Sequence, residues 1–177
     1  MQGMAGQQAA SATTKPLYTA EQKRLRDGSV WTLVQGVLAP VQFLVFLVSL
    51  GLVLRYLATG EGQTAATISI VIKTLTLYTI MITGAIWEKV VFGVYLFAEG
   101  FYWEDMVSML VLALHTAYLV ALSYDLLETR ALMLLALAAY ATYVVNAAQF
   151  ILKLRAARLQ SAAETLAPAG NAMEAAQ

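Results

Sequence analysis

The sequence contains no cysteine, a single histidine and few charged residues. Its 177 residues are 60% hydrophobic and only 12% charged. The absence of cysteine excludes a disulfide scaffold, a thiolate zinc site, an iron–sulfur cluster and a cysteine nucleophile. A lone histidine also excludes a metal centre built from several histidines. The common thiol and metal-cluster chemistries are therefore absent from this chain.

The shortage of charge indicates a membrane protein. A typical soluble domain is about 25% charged, and half of that proportion in a chain of one-domain length leaves too little polar surface to cover a soluble core. The apolar excess must face lipid. The acidic and basic residues, 11 of each, cancel to a net charge of zero. The basic residues are spread along the chain, which argues against a nucleic-acid partner because nucleic acids need a concentrated basic face.

Long stretches without charge predict the membrane spans. Residues 28–54, 106–124 and 131–152 contain no Asp, Glu, Lys or Arg, and residues 64–87 contain only Lys73. Each stretch has about the 20 residues that a helix needs to cross roughly 30 Å of hydrocarbon. We therefore predict an all-α polytopic membrane protein, with a bundle of four transmembrane helices in residues 29–158. The spans are expected at about 30–57, 64–87, 106–124 and 131–152.

The basic residues outside the spans predict the orientation. One group lies before the first span, between the second and third, and after the fourth: Lys15, Lys23, Arg24, Arg26, Lys89, Lys153, Arg155 and Arg158. Only Arg55 and Arg130 lie on the other side. Because basic residues collect on the cytoplasmic side, both termini are expected in the cytoplasm. Residues 1–28 are predicted to be a polar tail, first disordered and then juxtamembrane, and residues 159–177 a disordered tail.

Polar residues inside the spans recur at helical spacing. At about 100° per residue each span has one polar seam. The four seams consist of Trp31, Gln35, Gln42 and Ser49; of Lys73, Thr76, Thr79, Thr83 and Trp87; of Glu104, Ser108 and His115; and of Tyr143, Asn146, Gln149 and Lys153. Such seams join membrane helices to one another, or they line a pocket. For Lys73, we expect the long stem to snorkel to the outer interface.

The connection between the second and third spans combines carboxylates with aromatic rings. Glu88, Glu104 and Asp105 lie beside apolar spans, in a segment that also contains Trp87, Phe101, Tyr102 and Trp103. One interpretation is an aromatic interface belt with solvated charges. The other is a set of half-buried carboxyl groups, one of which acts as a general acid near neutral pH.

His115 is predicted near the middle of the bilayer, inside the third span. One interpretation is a neutral imidazole hydrogen-bonded to a neighbouring helix. The functional interpretations are a proton relay and a single axial ligand to a metal that a tetrapyrrole already holds. These alternatives remain open from the residues alone.

Three segments of the sequence resemble a known enzyme family. The motifs are WTLVQG at residues 31–36, IWEKVVFG at 86–93, and WED at 103–105 followed by LHTAY at 114–118. Together with AAYATYVVNAAQFILKLRAARLQ at 138–160, they resemble the 3-vinyl chlorophyllide or bacteriochlorophyllide hydratases of purple-bacterial pigment synthesis. The resemblance extends from about Pro16 to Gln160.

The resemblance implies a hydro-lyase that adds water to the C3 vinyl group of a magnesium chlorin in the bacterial inner membrane. It implies no added cofactor and no metal of the protein's own. Chemistry then suggests roles for the residues above. The acid and base are expected among Glu88, Glu104 and Asp105, and His115 is expected to ligate the substrate magnesium or relay a proton. The expected water-positioning residues are Gln35, Asn146 and Gln149, and the rings expected to stack on the chlorin are Trp87, Phe101, Tyr102 and Trp103.

Other functions compete with this hypothesis. A non-catalytic pigment-binding or assembly protein of the photosynthetic membrane would share the apolar groove and the histidine, but would need no carboxyl groups at the cleft. A small transporter is suggested only by Lys73 and the polar seams. Neighbouring pathway enzymes and a second copy of the chain are further expected partners, besides the chlorin, water and lipid.

Overall fold

The chain folds into helices joined by short connections. The computed structural model describes residues 17–174, with side chains at 17–159, 161 and 162. The helices are α1 (Ala20–Gly28), α2 (Val30–Thr59), α3 (Gln63–Phe92), α4 (Tyr102–Ser123) and α5 (Thr129–Glu174). Within residues 17–174 there is no strand. Four helices, α2, α3, α4 and the part of α5 up to Leu159, are long and apolar enough to span a membrane. The predicted all-α fold with four membrane helices is confirmed.

Helix α1 is not predicted by the hydrophobic pattern, because it is short and polar and contains no buried residue. Local capping defines it instead. The Thr19 hydroxyl accepts a hydrogen bond from the Gln22 N–H at 3.2 Å, and the Gln22 side chain accepts one from the Thr19 N–H at 2.9 Å. This reciprocal arrangement satisfies N–H groups that a helix start leaves free. Residues 1–16 of the predicted disordered tail lie outside the described residues.

Helix α5 continues beyond its membrane span. Its backbone is helical from Thr129 to Glu174, and therefore through most of the segment in which composition predicts disorder. The last three residues of the chain lie outside the described part. The segment is rich in alanine, which has the highest helix propensity.

Helices α2 and α3 form the first of two antiparallel hairpins. Their connection contains Gly60 and Gly62, whose φ angles are 75° and 82°. Glycine adopts such angles without the steric cost that a side chain adds, so the chain reverses within three residues. Near the other end of the hairpin, the Gln35 side-chain amide donates a hydrogen bond to the Thr83 hydroxyl at 2.8 Å.

Helices α4 and α5 form the second hairpin, and an aromatic and polar core joins it to the first. The Phe46 ring of α2 lies 5.4 Å from the ring of Tyr140 and 5.0 Å from that of Tyr143, both on α5. The Ser49 hydroxyl bonds both the Tyr140 hydroxyl at 2.5 Å and the Ser69 hydroxyl of α3 at 2.7 Å. Part of the predicted polar seam of α2 therefore joins helices inside the bundle.

The ends of the bundle are distinguished by their contacts. At one end, here called the α1 end, the Trp87 indole of α3 donates to the Thr32 hydroxyl of α2 at 2.9 Å, and Lys153 of α5 binds Glu104 of α4. The opposite end contains the Gly60 turn and the α4–α5 connection. The first turn of α2 and the far part of the α5 span thus lie at the same end, as an even number of spans requires.

Candidate active site

Three carboxyl groups meet at the α1 end, where α3 ends and α4 begins. Glu88 lies in the last part of α3, and Glu104 and Asp105 lie in the first turn of α4. Their exposed fractions are 5%, 6% and 3%. Helix α4 begins at Tyr102, four positions before the predicted start at 106, so two of the carboxyl groups belong to the helix itself. The structure brings the three predicted carboxyl groups together and buries them.

Glu88 and Asp105 form a pair. The two buried carboxyl groups lie next to each other, and a hydrogen bond between two carboxyl groups requires a proton on one of them. The Glu88 carboxyl also accepts the Ala98 N–H at 3.3 Å, and the Asp105 carboxyl accepts the Phe97 N–H at 2.7 Å. Two neighbouring carboxyl groups that share one proton supply both an acid and a base.

The loop between α3 and α4 adopts a strained conformation around this pair. Phe97 has a φ of 61°, an angle that a bulky side chain rarely adopts. Two consecutive N–H groups, those of Phe97 and Ala98, bond to the two carboxyl groups. These bonds stabilise the backbone angle, and such strain is concentrated at functional sites in proteins.

Glu104 has a different environment from the pair. Its carboxylate forms an ion pair with Lys153, whose amine also donates to the Gly100 carbonyl. The Asn146 side chain donates to the Glu104 carbonyl oxygen at 2.8 Å and to the Ser108 hydroxyl at 3.0 Å. Glu104 is thus a charge-balanced carboxylate that links α4 to α5.

The predicted aromatic residues divide into two groups. Phe101 is 1% exposed, and its ring lies 5.8 Å from the Trp87 ring and 5.9 Å from the Phe150 ring. Tyr102 and Trp103 are 46% and 70% exposed. Trp87 and Phe101 therefore form an inner aromatic wall beside the carboxyl groups, whereas Tyr102 and Trp103 face the surroundings.

The predicted amide residues also differ in position. Asn146 contacts the backbone of Glu104, and Gln149 lies on the same face of α5, between Asn146 and Lys153. The Gln149 side-chain oxygen is buried and has no hydrogen-bond partner among the described residues. Gln35 instead bonds Thr83 within the first hairpin. The structure places Asn146 beside the carboxyl cluster and Gln149 on the same face of α5, and it holds Gln35 against α3.

His115 lies deeper in the bundle, ten positions or about 15 Å along α4 from Asp105. Its Nδ1 donates to the Val111 carbonyl at 2.8 Å, so its partner is on its own helix and not on a neighbouring one. Because Nδ1 carries the hydrogen, Nε2 of the neutral ring has a free lone pair. Nε2 is buried and has no partner in the described part of the chain. The structure does not bring His115 into contact with the carboxyl pair.

Lys73 does not snorkel to the outer interface. Its exposed fraction is 0%, and its amine lies 3.9 Å from the centroid of the Tyr143 ring on α5. A cation over an aromatic ring is attracted to the electron-rich face. The side chain therefore points into the bundle, because Tyr143 offers this contact between the two hairpins.

Several residues of the site are not predicted from the sequence as site residues. Lys153 lies in the polar seam with Asn146, and the positive-inside rule accounts for its charge without any role in a site. The N–H groups of Phe97 and Ala98 depend on the loop conformation, which leaves no signal in the sequence. Tyr18 adds a buried ring, 5.7 Å from that of Phe92 and 6.3 Å from that of Phe101. Because Tyr18 is far from both residues in the sequence, this contact could not be predicted.

Comparison with known proteins assigns the family. Residues 18–156 match the family described as 2-vinyl bacteriochlorophyllide hydratase. The chain belongs to this family. The matched range contains the three carboxyl groups, Lys153 and the inner aromatic wall. The resemblance seen in the sequence motifs is therefore confirmed, since 2-vinyl is the older ring numbering for the 3-vinyl group.

Two curated relatives have the same description. The 2-vinyl bacteriochlorophyllide hydratase of Rhodobacter capsulatus is 65% identical over 150 residues, which cover 85% of this chain and 87% of the relative. That of Cereibacter sphaeroides is also 65% identical over 150 residues, covering 84% of this chain and 92% of the relative. No solved structure matches this chain significantly.

The ion pair between Lys153 and Glu104 predicts a strong energetic coupling. Lys153→Met leaves the Glu104 carboxylate buried without its cation, which costs about 3 kcal/mol of unfolding free energy. Glu104→Gln in the same chain removes the uncompensated charge, so the double variant is expected to regain part of this loss. Unfolding titrations in detergent micelles measure all four proteins. A coupling energy of about 1–3 kcal/mol is expected, and strictly additive losses would contradict the assignment.

Proposed function

We propose that this protein is a hydratase that adds water to the C3 vinyl group of chlorophyllide a or bacteriochlorophyllide, giving the 3-(1-hydroxyethyl) product. The observation that carries the proposal is the buried Glu88–Asp105 pair in a chain of the 2-vinyl bacteriochlorophyllide hydratase family, and we infer that the two carboxyl groups share one proton. Its curated relatives are named for that reaction. The protein is therefore a hydro-lyase of bacteriochlorophyll biosynthesis.

The carboxyl pair supplies the proton transfers of this reaction. The protonated member gives its proton to the terminal vinyl carbon, which becomes a methyl group. The positive charge then develops on the inner carbon, where the macrocycle delocalises it. The oxygen of a water molecule bonds to that carbon, and the water gives a proton to a carboxylate. The pair ends with the one proton with which it began, so the reaction needs no oxidant or reductant and no added cofactor.

Other residues support these steps by position. Asn146 has its side-chain amide beside the cluster and Gln149 lies on the same face of α5, and we assign both to the attacking water because an amide can both accept from it and donate to it. The Glu104–Lys153 ion pair adds a fixed carboxylate next to the developing positive charge. A water-positioning role for Gln35 requires it to leave Thr83 and remains a prediction.

The aromatic residues and His115 provide contacts for the macrocycle. Tyr102 and Trp103 present exposed rings at the α1 end, and the Trp87 and Phe101 rings pack against each other. Flat aromatic surfaces favour stacking with a chlorin. The free lone pair of His115 Nε2 supports the role of axial ligand to the substrate magnesium.

The long helices and the basic residues of the protein indicate its localisation. The four long helices make it a membrane protein. We place it in the bacterial inner or photosynthetic membrane with the α1 end in the cytoplasm, which the basic residues at that end support. Besides pigment, water and lipid, association with neighbouring pathway enzymes or with a second copy remains a prediction.

Glu88→Gln and Asp105→Asn test the assignment of the acid and base. Each substitution preserves size and hydrogen bonding but removes a group that can transfer a proton. We expect the hydration rate of the membrane-inserted protein to fall about a hundredfold or more, with pigment binding retained. Product is measured as the pigment that is heavier by one water and blue-shifted by loss of vinyl conjugation.

Matched controls for these variants lie at the opposite end of the bundle. Glu61→Gln and Asp125→Asn make the same chemical changes at exposed positions and should leave the rate unchanged. Normal hydration by both Glu88→Gln and Asp105→Asn would reject the carboxyl mechanism. A wild-type protein that binds chlorophyllide but never hydrates it would favour the pigment-binding alternative.

His115→Leu tests the proposed magnesium ligand. Loss of the axial bond should weaken binding of the magnesium pigment and leave binding of the magnesium-free pigment unchanged. Both affinities are measured by titration of the pigment absorbance in detergent micelles. Unaltered affinity for the magnesium pigment would exclude the ligand role.

A further inference from the structure

Lys73 is a buried amine without a counter-ion. Its side chain is 0% exposed, and its amine has no hydrogen-bond partner among the described residues. Its amine lies 3.9 Å from the centroid of the Tyr143 ring. This contact would offset only part of the cost of burying a protonated amine. Ionisable groups inside a membrane bundle are costly and usually serve a ligand or an ion pathway. In the described part of the chain, no carboxylate forms an ion pair with this lysine.

The amine lies at the interface between the two hairpins. Lys73 belongs to α3 of the first hairpin, and Tyr143 belongs to α5 of the second. Two further buried polar atoms without partners lie in the same interior, Gln42 Oε1 on α2 and His115 Nε2 on α4. Unpartnered polar atoms from three helices therefore lie inside the bundle, and such atoms are rare in folded proteins unless a ligand or water completes them.

This region lies deeper in the membrane than the carboxyl cluster. Tyr143, beneath the Lys73 amine, precedes Asn146 by three positions, or about 4.5 Å along α5. Asn146 donates to the Glu104 carbonyl at 2.8 Å. On α3 itself, Lys73 precedes Glu88 by 15 positions, or about 22 Å along the helix axis. A macrocycle with its propionate chain, together with the two extended side chains, can span this separation.

We propose that Lys73 binds the carboxylate of the substrate. The inference rests on the proposed function, because a chlorophyllide is a free acid that carries a propionate carboxylate on the same macrocycle as the vinyl group. A hydrogen-bonded ion pair is strong where water is excluded. An internal water would satisfy one hydrogen bond of the amine but would leave its charge without a counter-ion. Binding the carboxylate at Lys73 fixes the macrocycle between the hairpins, with the vinyl edge toward Glu88 and Asp105.

The test compares two pigments that differ only in this charge. Chlorophyllide and its methyl ester are titrated against the full-length protein in detergent micelles, and binding is followed by pigment absorbance. The wild-type protein is expected to bind the acid about tenfold to a hundredfold more tightly than the ester. Lys73→Met, which keeps the length and apolar stem of the side chain, should weaken binding of the acid only and so abolish the preference. Lys89→Met makes the same change at an exposed position of the same helix and should keep the preference.

Three results would overturn the proposal: equal binding of acid and ester by the wild-type protein, an unchanged preference in Lys73→Met, or equal weakening of both pigments by that variant. The last result would assign Lys73 a packing role. If Lys73→Met does not fold, the wild-type comparison still decides. Hydration of chlorophyllide by the wild-type protein is measured separately. Normal hydration without a preference for the acid over the ester rejects the lysine site alone. Absence of hydration rejects the proposed function.

Discussion

We infer that a proton shared between Glu88 and Asp105 joins the end of α3 to the start of α4. Without it, two buried carboxylates would repel each other in a place where water cannot screen them. With it, the pair can accept the N–H groups of Phe97 and Ala98 and so stabilise the unusual backbone angle of the loop. The same proton is the one that the reaction needs. The interaction that closes this end of the bundle is therefore also the source of the chemistry.

The third carboxyl group of the cluster has its own counter-ion. Glu104 lies next to Asp105 in the sequence, yet its charge is balanced by Lys153 across the helix pair. The cluster thus separates into an ion pair and a proton-sharing pair, which gives chemically similar side chains different roles. Lys73 is a second, deeper amine without such a partner. One amine is compensated by the protein, and the other is available to a substrate carboxylate.

Much of this fold is predictable because its helices must face a lipid environment. Uncharged stretches identify the four spans because a charge facing hydrocarbon is expensive, and Gln42, Ser49 and Asn146 are buried as their seams predict. The predicted polar seam of α3 is only partly buried. Thr79 is exposed, and its hydroxyl can face lipid because it donates to the Leu75 carbonyl of its own helix. The site was predictable as a group of carboxyl residues. Its pairing was not, since that depends on the path of a loop and on contacts between distant helices.

The central claim is that the resting protein carries a proton between Glu88 and Asp105. Infrared spectroscopy of the protein in membranes measures this directly, because a protonated carboxyl group has a carbonyl stretch distinct from that of a carboxylate and shifts in D₂O. The account predicts one such band in the wild-type protein, absent from Glu88→Gln and Asp105→Asn and unchanged in Glu61→Gln. A wild-type spectrum without the band, or a band that survives both site substitutions, would contradict it.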